Sequence, residues 1–171
     1  MRAGLIVVVA LVVSAGCSRA APAGPPGAAT VVRVVDGDTI VAHVGGRDED
    51  VRLVGINTPE TKDPRKPVEC FGKEASAHLA ELLPKGEAIR LERDVEPRDH
   101  FGRLLAYVYR RRDELFVNLD LAAGGYAEAL TIPPNVAHTD DLLAAVAGAR
   151  SAGEGLWGAC GGPDLPVTSP P

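Results

Sequence analysis

Two β-branched runs joined by a tight turn set the first constraint on this chain. Thr30-Val31-Val32-Arg33-Val34-Val35 leads into Asp36-Gly37-Asp38, and Thr39-Ile40-Val41-Ala42-His43-Val44 follows. Branching at Cβ favours a pleated backbone, and Asp-Gly supplies the turn, so the stretch reads as a β-hairpin. Gly45-Gly46 marks a second turn, and Val51–Ile56 reads as a third strand. Residues 72–83 have helical spacing, with Ala75, Leu79, Leu82 and Leu83 along one face and Pro84 as the stop. Strands are expected at Ala88–Val95 and Leu104–Tyr109, and a short helix near Val117–Ala123. A longer helix runs from about Asp140 to Ala152, with Leu142, Val146 and Ala149 on one face. The order βββ-α-ββ-α-α predicts an α+β fold, a small five-stranded OB-type β-barrel with three helices.

The ends of the chain have a different character. Residues 3–16 are an apolar run behind Arg2, too short to span a bilayer comfortably, so residues 1–16 read as a signal peptide. The run ends at Ser14-Ala15-Gly16-Cys17, which resembles a bacterial lipoprotein signal whose cysteine is acylated, with Ser14 where leucine is usual. Ordinary secretion, with cleavage after Ser18-Arg19-Ala20, is the alternative. On either reading the chain is exported, as a lipoprotein on the outer side of the cell membrane or as a secreted protein. The Ala-, Pro- and Gly-rich stretch after Cys17 cannot build a core, so residues 17–29 read as a lipidated cysteine and flexible tether. The domain then occupies 30–160, and 161–171 read as a disordered tail. With Cys17 acylated, Cys70 and Cys160 remain. An oxidising compartment favours their pairing, worth about 4–5 kcal/mol on the chain-entropy model.

The formal charge of −5 argues against a broad basic groove for nucleic acid. Basic residues cluster only locally, in Lys62–Pro67 and in Arg110-Arg111-Arg112, the second reading as a solvated loop. The four histidines (His43, His78, His100, His138) show no metal-ligand spacing, and Tyr107 and Tyr109 read as barrel packing. Nothing signals oligomerisation, and the chain reads as a monomer.

The chemistry concentrates in Asp36-Gly37-Asp38-Thr39 and in Arg52 through Thr61. Carboxylate, amide and backbone oxygens suit a hard cation such as Ca²⁺. An arginine fork suits a phosphate, and a carboxylate beside a metal can act as a general base towards water. Together they point to hydrolysis of a phosphodiester. Asp36 reads as a turn former or an outer carboxylate and stays outside the ligand set.

Five motifs occur in order. They are Asp36-Gly37-Asp38-Thr39; Arg52-Leu53 through Asn57-Thr58-Pro59-Glu60-Thr61; Phe71-Gly72-Lys73-Glu74-Ala75-Ser76; Phe101-Gly102-Arg103 through Tyr109; and Gly155-Leu156-Trp157. With them the chain, from about Thr30 to Trp157, resembles the staphylococcal-nuclease-like (thermonuclease) family. That resemblance implies an OB-type barrel and Ca²⁺-dependent cleavage of DNA and RNA with little sequence preference. It carries metal ligands onto Asp38, Asn57 and the Thr58 carbonyl, and catalytic roles onto Arg52, Glu60 and Arg103. Glu60 would be the general base, and the two arginines would stabilise charge on the phosphoryl oxygens. The chain departs from the best-known members at Asn57 (aspartate there), at His100 and Phe101 (lysine and tyrosine there) and at Thr131 (tyrosine there). Domains of this fold that lack the catalytic set act as nucleic-acid or protein binders, which is the alternative function.

Overall fold

The computed structural model describes residues 27–62, 67–163 and 165. The signal, Cys17 and most of the tether lie outside the described residues, as do most of the tail and the centre of the Lys62–Pro67 cluster. The first hairpin forms as expected from β1 (Ala28–Val34) and β2 (Thr39–Val44), with Val31 and Ala42 opposite one another. A bulge between Val31 and Arg33 shifts the register and bends β1. β1 begins two residues before the expected start, because Ala28 and Ala29 already pair with Arg90 and Ile89.

The third strand differs more from expectation. β3 (Arg47–Leu53) starts directly after the Gly45-Gly46 turn and pairs with β2 along its whole length. Its first four residues are charged and do not look like strand, yet three of them are exposed and their backbone groups complete the β2 ladder. The expected strand then breaks at Gly55, whose φ is +81°. A Cβ there would lie 2.4 Å from Leu142 Cδ1, so glycine permits both the left-handed turn and the packing of Leu142. After the break, β4 (Gly55–Asn57) leaves the barrel.

Helix α1 (Gly72–Leu82) follows, then β5 (Ala88–Glu92) and β6 (Leu104–Arg110). β5 pairs with β1 and β6, and β6 closes the barrel by pairing in parallel with β3. The closing seam sets Val51, Arg52 and Leu53 beside Leu104, Leu105 and Ala106. These five strands form the closed barrel that the sequence implied. Its interior holds Val31, Ile40, Val51, Leu53, Ile89 and Val108, each at most 1% exposed. Burial of such side chains stabilises by about 1.5–3 kcal/mol each before the entropy of ordering them is subtracted.

The remaining elements are a two-residue β7 (Leu115–Phe116), α2 (Val117–Ala123), β8 (Glu128–Leu130), α3 (Thr139–Ala152) and a single-turn α4 (Leu156–Ala159). β7, β8 and α4 are too short to show a period in sequence. Asn118 on α2 is fully buried and ties the seam. Its Oδ1 accepts from the Val108 N–H at 2.9 Å, and its Nδ2 donates to the Val54 carbonyl at 2.8 Å. Cys70 and Cys160 are joined as a disulfide, and the Cys70 N–H donates to the Leu165 carbonyl at 2.7 Å. Among the described residues, no helix is long and apolar enough to cross a membrane.

Candidate active site

The seam and the first turn bring the site together. Register places Thr39 opposite Arg52, so Asp38 meets that arginine at the end of the hairpin. The parallel pairing of Arg52 with Leu105 brings Arg103 to the same end of the barrel. One cleft of about 300 Å³ is lined by Asp38, Arg52, Asn57, Thr58, Glu60 and Arg103, together with Asp36, Pro59 and Phe101. All six residues singled out in sequence therefore share one cleft.

Asp38 is its electrostatic centre and is 6% exposed. Its Oδ2 accepts from the Thr58 N–H at 3.0 Å and from the Thr58 hydroxyl at 3.2 Å, and it pairs with Arg52 Nη2 at 2.9 Å. The same Nη2 donates to Asn57 Oδ1 at 3.2 Å, while Nη1 is fixed on the Leu53 carbonyl. Burial pushes the Asp36 carboxyl above its usual range, and the nearby charge of Asp38 adds to that.

Arg103 is held by its own loop. Its Nε donates to Asp99 Oδ2 at 2.7 Å, and its backbone N–H donates to Asp99 Oδ1 at 2.9 Å. Burial alone would raise the Asp99 carboxyl. The Arg103 and Phe101 donors outweigh it and hold the group below its usual range. The loop is pinned in turn by Arg98, which forks onto Glu49 at 2.9 and 3.0 Å and donates to the Gly102 carbonyl at 2.6 Å.

Glu60 stands on a loop outside the barrel. Its Oε1 accepts from the backbone N–H groups of Thr61 (2.8 Å) and Lys62 (2.6 Å), which sets the direction of the carboxylate. Its backbone is clamped by Glu69. The Glu60 N–H donates to Glu69 Oε2 at 2.7 Å, and the Glu69 N–H donates to the Glu60 carbonyl at 2.9 Å. The loop lies against the start of α1 at Gly72, where a Cβ would meet Thr61 Cγ2 at 2.5 Å and the Pro59 carbonyl at 2.8 Å. Glycine is needed there for that close approach.

The donor set fits a hard cation. Asp38 Oδ2 and Asn57 Oδ1 converge on one positive atom, Arg52 Nη2, and Thr58 lines the same cleft. Among the described residues, no group of three or more His, Cys, Asp or Glu side chains could hold a metal. This set is instead one carboxylate, one amide and one backbone carbonyl, so a Ca²⁺ held here would complete its six to eight ligands with water and substrate oxygens.

A second cleft of about 360 Å³ adjoins the first and shares Arg52 and Arg103 with it. Leu53, Ile56, Leu105, Leu130 and Ile132 give it an apolar wall. Thr131 lies elsewhere, in a separate depression with Asp140 and Asp141, so Leu130 and Ile132 are the residues of that segment nearest the site. Phe101 is 72% exposed, stacks obliquely on His100 with ring centres 3.7 Å apart, and lies 5.4 Å from the Arg103 guanidinium. The triple-arginine cluster is engaged elsewhere, with Arg110 on Asp113 and Arg112 on Glu87. His43, His78 and His138 pair with Asp48, Asp120 and Glu92.

The sequence reading missed Asp99 and Glu69. Asp99 stands four residues before Arg103, but on a loop, where that spacing predicts no contact. Glu69 carries no cue either, standing nine residues from Glu60 in the chain.

A family model described as staphylococcal nuclease homologue matches residues 50–159. The chain belongs to that family. It is 35% identical over 164 residues to a thermonuclease of Staphylococcus hyicus, covering 90% of this chain and 95% of that protein. A thermonuclease of Staphylococcus intermedius is 50% identical over 105 residues, 61% of each chain. Endonuclease YncB of Bacillus subtilis is 37% identical over 134 residues, 77% of this chain and 62% of that protein. The match thus spans less than two thirds of the second and third of these relatives, and nearly all of the first.

Proposed function

We propose that this member of the staphylococcal nuclease family is a Ca²⁺-dependent nuclease that hydrolyses phosphodiester bonds of DNA and RNA with little sequence preference. The observation that carries the reading is the convergence of Asp38, Arg52, Asn57, Thr58, Glu60 and Arg103 on one cleft. Asp38, Asn57 and the Thr58 carbonyl would hold the cation. When bound, it supplies positive charge against a phosphoryl oxygen. Glu60, its carboxylate steered by two backbone N–H groups, takes the proton from the attacking water. Arg52 and Arg103 offer planar donor forks to the phosphoryl oxygens as negative charge builds on them. Contacts of this kind are directed at the phosphate and carry no sequence information.

The reading extends to where the protein works. The apolar N-terminal run, the Cys17 motif and the Cys70–Cys160 bridge support export, with a lipid on Cys17 tethering a monomeric domain outside the cell. The test is incubation of purified protein with plasmid DNA, denatured DNA and RNA, with Ca²⁺ and with excess chelator. Cleavage that needs Ca²⁺ is the expected result. Binding of nucleic acid without cleavage would make the domain a binding module instead.

A further inference from the structure

We propose that Glu128 makes Asn57 a competent cation ligand, so that the two side chains act as one unit; the inference rests on the metal-ligand reading of Asn57 given above. The two residues stand directly opposite one another in the antiparallel β4–β8 ladder. Asn57 Nδ2 donates to Glu128 Oε1 at 3.2 Å. The other end of the amide, Oδ1, faces Arg52 Nη2 and thus the atom that Asp38 also contacts.

An amide has a donor end and an acceptor end, and only the oxygen can hold a hard cation. An ionised carboxylate only accepts, so Glu128 can pair only with the NH₂ end. That pairing turns the oxygen into the cleft. It also draws on the N–H and leaves more negative charge on the oxygen, which improves it as a ligand. Outer partners of this kind are worth about 10–100-fold in metal affinity. Glu128 further returns to the edge of the site the negative charge that an asparagine does not bring.

An aspartate at position 57 would need no such partner. Its two oxygens are equivalent, and it would face Glu128 as a like charge directly across the ladder. Asn57 and Glu128 therefore belong together, and changing one alters what the other does. Because β8 is three residues long and 71 positions away, only the fold reveals the pairing.

The test is Ca²⁺ titration by calorimetry, without substrate, on the wild-type protein, Glu128→Gln, Asn57→Asp and the double variant. Glutamine keeps the shape of Glu128 but can offer either end of its amide. Glu128→Gln should weaken Ca²⁺ binding about tenfold in the native background. In the Asn57→Asp background the same change should cost markedly less, since only the charge term remains. Equal losses in both backgrounds would reduce Glu128 to a distant charge and overturn the proposal, as would no loss in the native background. No Ca²⁺ binding by the wild type would instead remove the metal reading itself. Thermal unfolding in chelator gives a second readout. In the Asn57→Asp background, where the Arg52 contact is common to both proteins, Glu128→Gln should raise the midpoint by relieving the like charge across the ladder. A double variant that melts no higher than Asn57→Asp would show that the two side chains do not meet, which also overturns the pairing.

Discussion

Arg52 stands at the barrel seam, where ladders fix its backbone on both sides, and Arg103 stands just before the seam strand β6, whereas Glu60 stands on a loop that reaches the same cleft from outside the sheet. Arg52 is locked by the β2–β3 register, by the parallel pairing with Leu105 and by Asp38. Arg103 precedes the first residue of β6 and is clamped by Asp99. Glu60 has no ladder of its own. A pair of hydrogen bonds to Glu69, the close approach at Gly72 and a disulfide one residue beyond Glu69 do that work. The difference teaches that the two arginines and the Glu60 carboxylate are held in place separately. Damage to the loop should lower turnover while leaving the barrel intact, whereas damage at the seam should reach both.

Among changes outside the Glu60 loop, the largest effect is expected at the seam. Arg52→Lys and Arg103→Lys should each lower turnover roughly 10²–10³-fold, the range for a lost transition-state donor, because an ammonium cannot reproduce the planar fork. Steady-state rates on denatured DNA read this, and near-wild-type rates would break the assignment. Removal of the bridge comes next. Cys70→Ser with Cys160→Ser should cost about 2–4 kcal/mol of stability in chemical denaturation. Thiol titration of the unfolded, unreduced wild-type protein should find neither of these cysteines free.

The loop clamp is the sharper test of the comparison. Glu69→Ala should lower turnover by about tenfold, since small misplacement of a catalytic group is costly, with little change in KM or in melting temperature. Glu69→Gln keeps an acceptor for the Glu60 N–H and should recover much of the rate. A loss in stability equal to the loss in rate would place Glu69 in the scaffold instead.

Much of this contrast was legible in the sequence, and some was not. The five barrel strands and the three longer helices announce themselves because hydrophobic period and turn residues are local properties. The break at Gly55 does not, since the strand-like run continues through it, and both its left-handed backbone and the close approach of Leu142, far along the chain, are set by the fold. The motifs named the six site residues one by one. The clamps Asp99, Glu69 and Glu128 carry no motif, and their roles follow from register and loop closure that no local pattern encodes.

The smallest expected effect concerns the scaffold away from the cleft. Burial pushes the Tyr107 hydroxyl up to about 12, and its hydrogen bond to Asp94 adds to this. A group raised in the folded state contributes stability that is fully present below its unfolded value, near 10, and is lost as pH rises towards 12. Stability should therefore fall between those values, with Tyr107 ionising late in a phenolate absorbance titration. Loss of that pH dependence in Tyr107→Phe would confirm the source.

The most direct measurement is the rate of DNA and RNA cleavage by Glu60→Gln beside the wild type at saturating Ca²⁺, with melting temperatures taken in parallel. Loss of a general base predicts a turnover roughly 10²–10⁴-fold lower in a protein that melts where the wild type does. A Glu60→Gln protein that cleaves at the wild-type rate would contradict the account, because the loop would then carry no chemistry.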